Sequence, residues 1–266
     1  MPKVCLDAGH YGYYNQSPAV KTYYESKAMW TLHLYLKEAL EKRGFDVVCT
    51  RPDQSKDLAL VTRGTKAKGC DLFLSLHSNA VGSDVNEKVD YPRVYYPISG
   101  KGKDIAEKLA KCIEITMKTK QAGQIYSRYN SAGNADYYGV IRGAASVGVP
   151  GMIIEHSFHT QTAATKWLLS DANLKAMAEA EADVIADHFG IEKSEWYRVQ
   201  VGAYKEMDNA RAMLNKVKKA GFDAFITAAD GWLKVQTGAF EKKEYATAQA
   251  ALLKKAGFEA YIAVGS

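Results

Sequence analysis

The chain has 266 residues, of which 47% are hydrophobic and 24% are charged, and its formal net charge is +5. This length accommodates one large domain or two smaller ones, and the composition is typical of globular proteins rather than disordered or fibrous ones. The positive charge is modest, and no segment has the concentrated basic residues of a nucleic-acid-binding protein. We therefore expect no nucleic-acid partner; the composition identifies no protein partner.

The first residues, Met1–His10, read as a strand that enters a loop, without a basic segment followed by a long apolar run. We therefore expect neither a signal peptide nor a transmembrane helix. The chain would then be synthesised in the cytoplasm, with no membrane partner. It would reach an external substrate only after release from the cell.

The four cysteines, Cys5, Cys49, Cys70 and Cys112, form no CxxC pair. Such spacing is typical of small buried side chains in a reducing compartment, so we expect free thiols rather than a disulfide framework.

Over residues 1–190, apolar runs that predict strands alternate with amphipathic patterns that predict helices. The predicted strands are Lys3–Leu6, Asp46–Thr50, Asp71–Leu76, Arg93–Pro97 and Gly151–Glu155. The predicted helices are Ser26–Arg43, Lys103–Lys120 and Asn173–Phe189. This alternation indicates an α/β catalytic domain with a mostly parallel central sheet flanked by helices.

From residue 197 the sequence repeats itself with an offset of 36 residues. The segment Arg198–Tyr204 matches Lys234–Phe240, and Gly221–Ile226 matches Gly257–Ile262. Each unit has the pattern of strand, helix and strand, and one unit alone could not bury its apolar face. We therefore predict a small α+β ferredoxin-like βαββαβ repeat domain at 197–266, after a short polar linker at 191–196.

Three residues have the types and positions expected of metal ligands. His10 follows the first predicted strand, Glu25 precedes the first long helix, and His77 follows the strand Asp71–Leu76. The carboxyl ends of parallel strands meet at one edge of a sheet, so His10 and His77 can converge there. Taken singly, each histidine has a structural alternative as a hydrogen-bonded residue beside a strand.

Glu155 ends an apolar run that predicts an interior strand, Gly151–Glu155. A carboxylate at such a position is costly unless it is paired, solvated or functional. Beside a metal, it could take a proton from a bound water. The structural alternative is an ion pair with an arginine or lysine.

These motifs occur in one order along the chain: Leu6-Asp-Ala-Gly-His10, Glu25, Thr50-Arg51, Arg63, Cys70–Asn79, Val140-Ile-Arg142, Val149-Pro150, Ile154-Glu155 and Phe158. Over residues 3–190 the chain resembles the zinc-dependent N-acetylmuramoyl-L-alanine amidases, often called amidase type 3. The resemblance implies one Zn²⁺ ion held by His10, Glu25 and His77, with Glu155 as the catalytic carboxylate. It also implies hydrolysis of the amide bond between N-acetylmuramic acid and L-alanine in peptidoglycan.

The chain departs from the family pattern at two places that affect the shape of the cleft. Tyr11-Gly12 stands where the family commonly has a glycine pair, and Glu155-His156-Ser157-Phe158 replaces Glu-x-Gly-Phe. Neighbouring side chains on an extended strand point to opposite faces, so we expect His156 to point away from Glu155.

Further residues are candidates for contact with the substrate. We expect Asn79 and Tyr11 to bind it. Tyr11 belongs to tyrosine-rich loops that could form an aromatic platform. The alternative is that these tyrosines hold the loops together. Arg142 is a candidate helper that stabilises the anionic intermediate, with pairing to an acidic neighbour as the alternative.

The repeat resembles SPOR domains, which bind peptidoglycan glycan strands that lack stem peptides. This resemblance implies denuded glycan as a partner, bound through groups exposed on the sheet face such as Gln200 and Gln236; the alternative is that both residues only complete the fold.

An amidase joined to this repeat resembles phage endolysins, released by a holin, and mother-cell lytic enzymes of spore formers. Two other functions stay open: a zinc peptidase acting within the stem peptide, and a non-catalytic wall-binding protein.

Overall fold

The structure, a computed structural model, describes residues 1–191 and 196–265. The chain forms two compact units, Met1–Glu192 and Lys193–Ser266. The linker predicted at 191–196 lies almost wholly outside the described residues. Within the described ranges, none of the helices has both the length and the apolar character that a bilayer span requires.

The first unit is built from six strands and six helices in the described residues. The strands are β1 (Lys3–Ala8), β2 (Asp46–Cys49), β3 (Leu72–Asn79), β4 (Arg93–Tyr95), β5 (Gln124–Tyr126) and β6 (Gly151–Phe158). The helices are α1 (Glu25–Lys42), α2 (Leu60–Thr65), α3 (Lys103–Met117), α4 (Gly139–Ser146), α5 (Thr162–Leu168) and α6 (Asp171–His188).

The six strands form one sheet in the order β2-β1-β3-β6-β4-β5. The first four strands in that order are parallel, β4 runs antiparallel to β6, and β5 is parallel to β4. The mostly parallel central sheet is therefore confirmed. The chain leaves β1 towards β2 and returns to β3, so a crevice opens where the carboxyl ends of β1 and β3 lie side by side.

Helices cover both faces of this sheet. On one face, alternate strand residues such as Leu6, Leu74 and Ile154 pack against α1, α3, α5 and α6. On the other face, Cys5 and Phe73 pack against α4. The four cysteines are free, as expected, with Cys5 and Cys70 buried and the other two partly buried.

Three predicted strands continue beyond their predicted ends, and β1 is one of them because it runs to Ala8. β3 runs to Asn79 and β6 runs to Phe158, so His77 and Glu155 lie inside strands rather than after or at their ends. The polar residues that follow the apolar runs concealed this extension. The short elements α2, α4, α5 and β5 were not predicted, because a segment of three to eight residues carries too little periodicity to identify.

The second unit contains β7 (Trp196–Tyr204), α7 (Met207–Lys219), β8 (Phe225–Ala229), β9 (Trp232–Phe240), α8 (Lys243–Lys255) and β10 (Tyr261–Gly265). Its antiparallel sheet has the order β10-β7-β9-β8, and both helices pack against one face through a core that includes Val199, Val235 and Leu253. The predicted α+β ferredoxin-like βαββαβ arrangement is confirmed.

Candidate metal and catalytic site

Three predicted metal-ligand candidates converge at the carboxyl edge of the first sheet. One ligand atom from each of His10, Glu25 and His77 lies within 4.8 Å of the other two. Nδ1 of His77 is 2.8 Å from Oε1 of Glu25, and Nε2 of His10 is 3.4 Å from Oε2 of the same carboxylate. Two imidazoles and a carboxylate are a donor set typical of catalytic transition-metal sites.

Gly9 allows the two histidines to approach each other. Its backbone N–H donates to the carbonyl of Leu76 at 2.8 Å, which joins the loop after β1 to β3. A Cβ on Gly9 would lie 2.5 Å from Cε1 of His77, so any larger residue would collide with that ring. The next residue, His10, adopts a left-handed backbone with φ of 56°, which turns its side chain into the crevice.

Two buried arginines hold the end of β1 and the loop that follows it. Nη2 of Arg51 donates to the carbonyls of Ala8 and His10. Arg63 donates through Nε to Oδ1 of Asp7 at 2.9 Å and through Nη2 to the carbonyl of Ala8. These charge-assisted hydrogen bonds hold the backbone that carries His10.

Glu25 is the first residue of α1 and is only 2% exposed. Its carboxylate accepts hydrogen bonds from Nδ2 of Asn15 at 2.6 Å and from the backbone N–H of Ser78 at 3.1 Å. Burial alone would raise its pKa, but the hydrogen bond from His77 and the charges of both histidines lower that pKa to about 2. Glu25 is therefore an anion at neutral pH, as a metal ligand must be.

The second ring nitrogen of His77 also has a partner. Nε2 lies 3.2 Å from Oγ of Ser75, which donates to Oδ2 of the buried Asp7 at 2.6 Å. This contact directs Nδ1 of His77 towards Glu25. Such second partners set the ring orientation of metal-binding histidines. Burial lowers the pKa of His10, which favours its neutral, ligating form.

Glu155 lies opposite His77 in the parallel pairing of β3 and β6. Its Oε2 is buried and has no hydrogen-bond partner among the described residues. Burial raises the pKa of this carboxyl to about 7, with the charge of Glu25 adding to the increase and that of His77 opposing it. A carboxyl that titrates near neutrality can both accept and return a proton.

His156 points away from Glu155, as predicted. Its ring is fully buried, with Nδ1 2.9 Å from the carbonyl of His77 and Nε2 2.8 Å from Oε1 of Glu181. The next residue, Ser157, has a left-handed φ of 56° where the family pattern has glycine. Its hydroxyl donates to Oδ1 of Asp90 at 2.7 Å, which supports that conformation.

The remaining candidates for substrate contact are Arg142, Asn79 and Tyr11. Nη1 of Arg142 donates to the carbonyls of Asp136 at 2.7 Å and Tyr137 at 2.6 Å, so this side chain ties the preceding loop to α4. Asn79 ends β3 opposite Phe158 and accepts a hydrogen bond from the next backbone N–H. Tyr11 is 38% exposed. The substrate contacts of Arg142, Asn79 and Tyr11 stay predictions.

In the second unit, four side chains form one row across the sheet. Tyr261 pairs with Gln200, Gln200 with Gln236, and Gln236 with Phe225. Gln200 and Gln236 alternate with core valines and therefore lie on the face away from the helices. Each glutamine is only 4% exposed, so the expectation that both are exposed was wrong. The exposed members of the row are Phe225, at 49%, and Tyr261, at 44%.

Comparisons with known proteins agree with this architecture. Residues 4–187 match the N-acetylmuramoyl-L-alanine amidase family Amidase_3, and residues 193–263 match the SPOR domain. The N-acetylmuramoyl-L-alanine amidase CwlM of Bacillus licheniformis is 28% identical over 235 residues, covering 86% of each chain. The sporulation-specific N-acetylmuramoyl-L-alanine amidase of Bacillus subtilis (strain 168) is 28% identical over 240 residues, also with 86% of each chain covered.

The fold is shared with a solved catalytic domain. The domain of CwlV, an N-acetylmuramoyl-L-alanine amidase from Bacillus (Paenibacillus) polymyxa var. colistinus, superposes with a TM-score of 0.60 at 21% identity. The match covers 72% of this chain and 100% of that domain. The family match spans more than half of the chain and includes His10, Glu25, His77 and Glu155. The chain therefore belongs to the N-acetylmuramoyl-L-alanine amidase family, hydrolyses the amide bond between N-acetylmuramic acid and L-alanine in peptidoglycan, and carries a C-terminal SPOR domain for wall binding.

Proposed function

We propose that this amidase depends on one Zn²⁺ ion, held by His10, Glu25 and His77, and that Glu155 is its catalytic carboxylate. The observation that carries the proposal is the convergence of the three ligand candidates within 4.8 Å, with Glu155 opposite His77 on the neighbouring strand. The donor set of two nitrogens and one oxygen fits zinc and leaves a position for the reacting groups. When bound, zinc supplies Lewis acidity that lowers the pKa of a water molecule and polarises a carbonyl.

Side chains of the protein position the metal ligands and transfer the proton. Asn15 and Ser78 hold Glu25, and Ser75 orients the ring of His77. Glu155 accepts a proton from the attacking water and delivers it to the L-alanine nitrogen as the carbon–nitrogen bond breaks. Its pKa of about 7 places both protonation states within reach at neutral pH. Arg142, Asn79 and Tyr11 are proposed to contact the substrate.

We propose that the C-terminal unit binds glycan strands from which stem peptides have been removed. Support comes from the row in which two exposed aromatic rings, Phe225 and Tyr261, flank Gln200 and Gln236. Aromatic faces pack against sugar rings, so the two exposed rings at the ends of the row are the groups that we propose to contact the glycan. An amidase produces such denuded glycan, so binding of its product would keep the enzyme on the wall.

The proposal is tested by digestion of purified peptidoglycan with native, metal-stripped and zinc-restored protein. We expect new N-terminal L-alanine and no new reducing sugar from the native protein. The product should disappear on stripping and return with zinc but not with magnesium. Amino termini other than alanine would instead support a peptidase that acts within the stem peptide, and full activity after stripping would contradict the metal assignment.

We propose lysis of the mother cell during sporulation as the biological setting, rather than holin-type release of a phage endolysin. The description of the Bacillus subtilis relative as sporulation-specific supports this setting. Deletion of the gene in a spore-forming source should delay lysis of the mother cell. Unchanged lysis, with no redundant amidase active, would contradict it.

A further inference from the structure

A row of polar side chains extends from the proposed catalytic carboxylate towards the edge of the first sheet. Glu155 on β6 pairs with Arg93 on β4, and Arg93 pairs with Gln124 on β5. Residues directly opposite each other on neighbouring strands project from the same face, with Cβ atoms about 5 Å apart. Arg93 is therefore the neighbour of Glu155 on the side away from His77.

Neutral groups hold the guanidinium of Arg93. Nη2 donates to the hydroxyl of Tyr91 at 2.6 Å and to Oε1 of Gln124 at 2.8 Å, and Nη1 donates to the hydroxyl of Tyr95 at 3.3 Å. Its Nε is buried without a hydrogen-bond partner in the described part of the chain. In the same ranges, no carboxylate lies within ion-pair distance of this cation. Arg93 thus keeps its full positive charge.

Three tyrosine rings surround this cation. Its central carbon lies 5.1 Å from the ring centre of Tyr91, 5.2 Å from that of Tyr126 and 6.0 Å from that of Tyr95. Aromatic rings stabilise a guanidinium without neutralising it, and they limit its rotamers. Tyr126 is 55% exposed, so one wall of this cage faces solvent. The arrangement presents a fixed cation beside the catalytic carboxylate.

A substrate group that matches the charge of this cation is an anion. The lactyl carboxyl of muramic acid is consumed in the amide bond that is cut, so the sugar side offers no charge there. The departing peptide does carry one: its second residue is a glutamate linked through its side chain, which leaves the α-carboxyl free. In some walls this carboxyl is amidated and therefore neutral.

We propose that Arg93 binds the free α-carboxylate of the second stem-peptide residue and makes the enzyme selective for non-amidated peptidoglycan. The inference rests on the proposed function, because it takes Glu155 as the group that protonates the L-alanine nitrogen. It adds that the departing peptide lies on the β4 side of that carboxyl. A charge-assisted hydrogen bond to a carboxylate contributes about 1.5–3 kcal/mol, which corresponds to a preference of roughly 10-fold or more.

The test uses two synthetic substrates, N-acetylmuramoyl-L-alanyl-γ-D-glutamyl-L-lysine and its D-isoglutaminyl counterpart, in which the second residue is linked through its side chain and which differ only in its α-carboxyl group. The full-length, zinc-loaded protein is assayed for kcat/KM on each. We expect the native protein to prefer the free acid by about 10-fold or more. Arg93→Met should reduce the ratio of the two values to about 1, and Arg93→Lys should retain part of it.

Arg128→Met is the matched control, because Arg128 also lies over a tyrosine ring, that of Tyr137, but on an exposed loop. It should leave the ratio unchanged, and zinc content should be native in all three variants. A native ratio near 1, or an Arg93→Met protein that loses activity equally on both substrates, would overturn the proposal. Failure of the native protein to release L-alanyl peptides from either substrate would instead contradict the proposed function.

Discussion

Glu155 lies opposite His77 across the parallel pairing of β3 and β6, and its buried Oε2 has no partner among the described residues. A carboxyl oxygen that is buried without a partner is costly to the fold, so the position of Glu155 beside three ligand candidates indicates a functional role. The same desolvation raises its pKa to about 7, the range that a proton carrier needs at neutral pH. Burial of this carboxyl oxygen thus lowers the stability of the fold and also gives Glu155 a pKa suited to proton transfer.

The raised pKa of Glu155 predicts that the stability of the metal-free native protein, compared with that of Glu155→Gln, depends on pH. The pKa of Glu155 is about 7 in the folded state, and we take its ordinary value of 4.5 for the unfolded state. Between these two pH values the folded state therefore binds more protons than the unfolded state. Stability therefore falls as pH rises through that window. Glu155→Gln removes the titration and should be more stable than native protein at pH 8 by roughly 1–3 kcal/mol.

Calorimetry of both metal-stripped proteins at pH 5 and pH 8 measures this difference. At pH 5 the offset should be much smaller than at pH 8, since pH 5 lies only just above the ordinary pKa of 4.5, from which the folded and unfolded states begin to differ in bound protons. Titrating groups remote from Glu155 are common to both proteins and cancel in the comparison. An equal offset at both pH values would show that the carboxyl does not titrate in the window.

Gly9→Ala should disrupt the metal site through a steric collision. The added Cβ would lie 2.5 Å from Cε1 of His77 and 2.6 Å from the carbonyl oxygen of Leu76. Since the ring must move, we expect zinc affinity, measured by competition with a chromophoric chelator, to fall by about 10-fold or more. Gly12→Ala is the control: its φ of +61° costs about 1 kcal/mol, but no heavy atom lies within 4 Å. Native affinity in Gly9→Ala would refute this explanation.

Asn15 should matter for metal binding through its side-chain amide. Its Nδ2 lies 2.6 Å from Oε2 of Glu25 and 3.1 Å from Nε2 of His10. Its φ of 53° is one that glycine adopts freely and alanine does not. Asn15→Gly and Asn15→Ala should each weaken zinc binding by about 10-fold, while only the alanine variant should lose extra stability. If Asn15→Gly binds zinc normally, the amide does not contribute to zinc affinity. Any loss of affinity in Asn15→Ala would then come from the backbone conformation.

The aromatic ends of the row in the second unit should carry glycan affinity. Phe225→Ala and Tyr261→Ala should each weaken cosedimentation with denuded glycan strands by about 10-fold, through loss of apolar contact area. Both side chains are about half exposed and lie on the face away from the core, so the fold should persist. Tyr245→Ala, which removes an equally large exposed ring from α8, should bind normally. Equal loss in all three variants would assign binding to another surface.

Much of the site can be predicted from the sequence because the strands determine where the ligand candidates lie. Apolar runs identify β1, β3 and β6, and a parallel sheet brings the polar residues at the carboxyl ends of these runs to one edge. The convergence of His10 with His77 could therefore be expected from the sequence. Glu25 and the role of Glu155 depended on the family resemblance, since a lone carboxylate beside a helix or strand has many structural uses.

Other parts of the site depend on contacts that no local pattern encodes. Asn15 and Ser75 are ordinary polar residues in sequence and become relevant only because folding places them against Glu25 and His77. Gly9 looked like part of a motif, whereas its function depends on a ring 68 residues away. The burial of Gln200 and Gln236 was also missed, because an alternating pattern indicates a face of the sheet but not the groups that cover it.

The division between metal ligands and proton carrier is most directly tested by measuring bound zinc and amidase turnover in the same samples of native, Glu155→Gln and His77→Ala protein. Metal content is read by mass spectrometry, and turnover by release of L-alanyl peptide from a defined muropeptide. We expect Glu155→Gln to retain one zinc per chain and lose turnover by about 10³-fold or more, and His77→Ala to lose both. Near-native turnover in Glu155→Gln, or full zinc content in His77→Ala, would contradict the division between metal ligands and proton carrier.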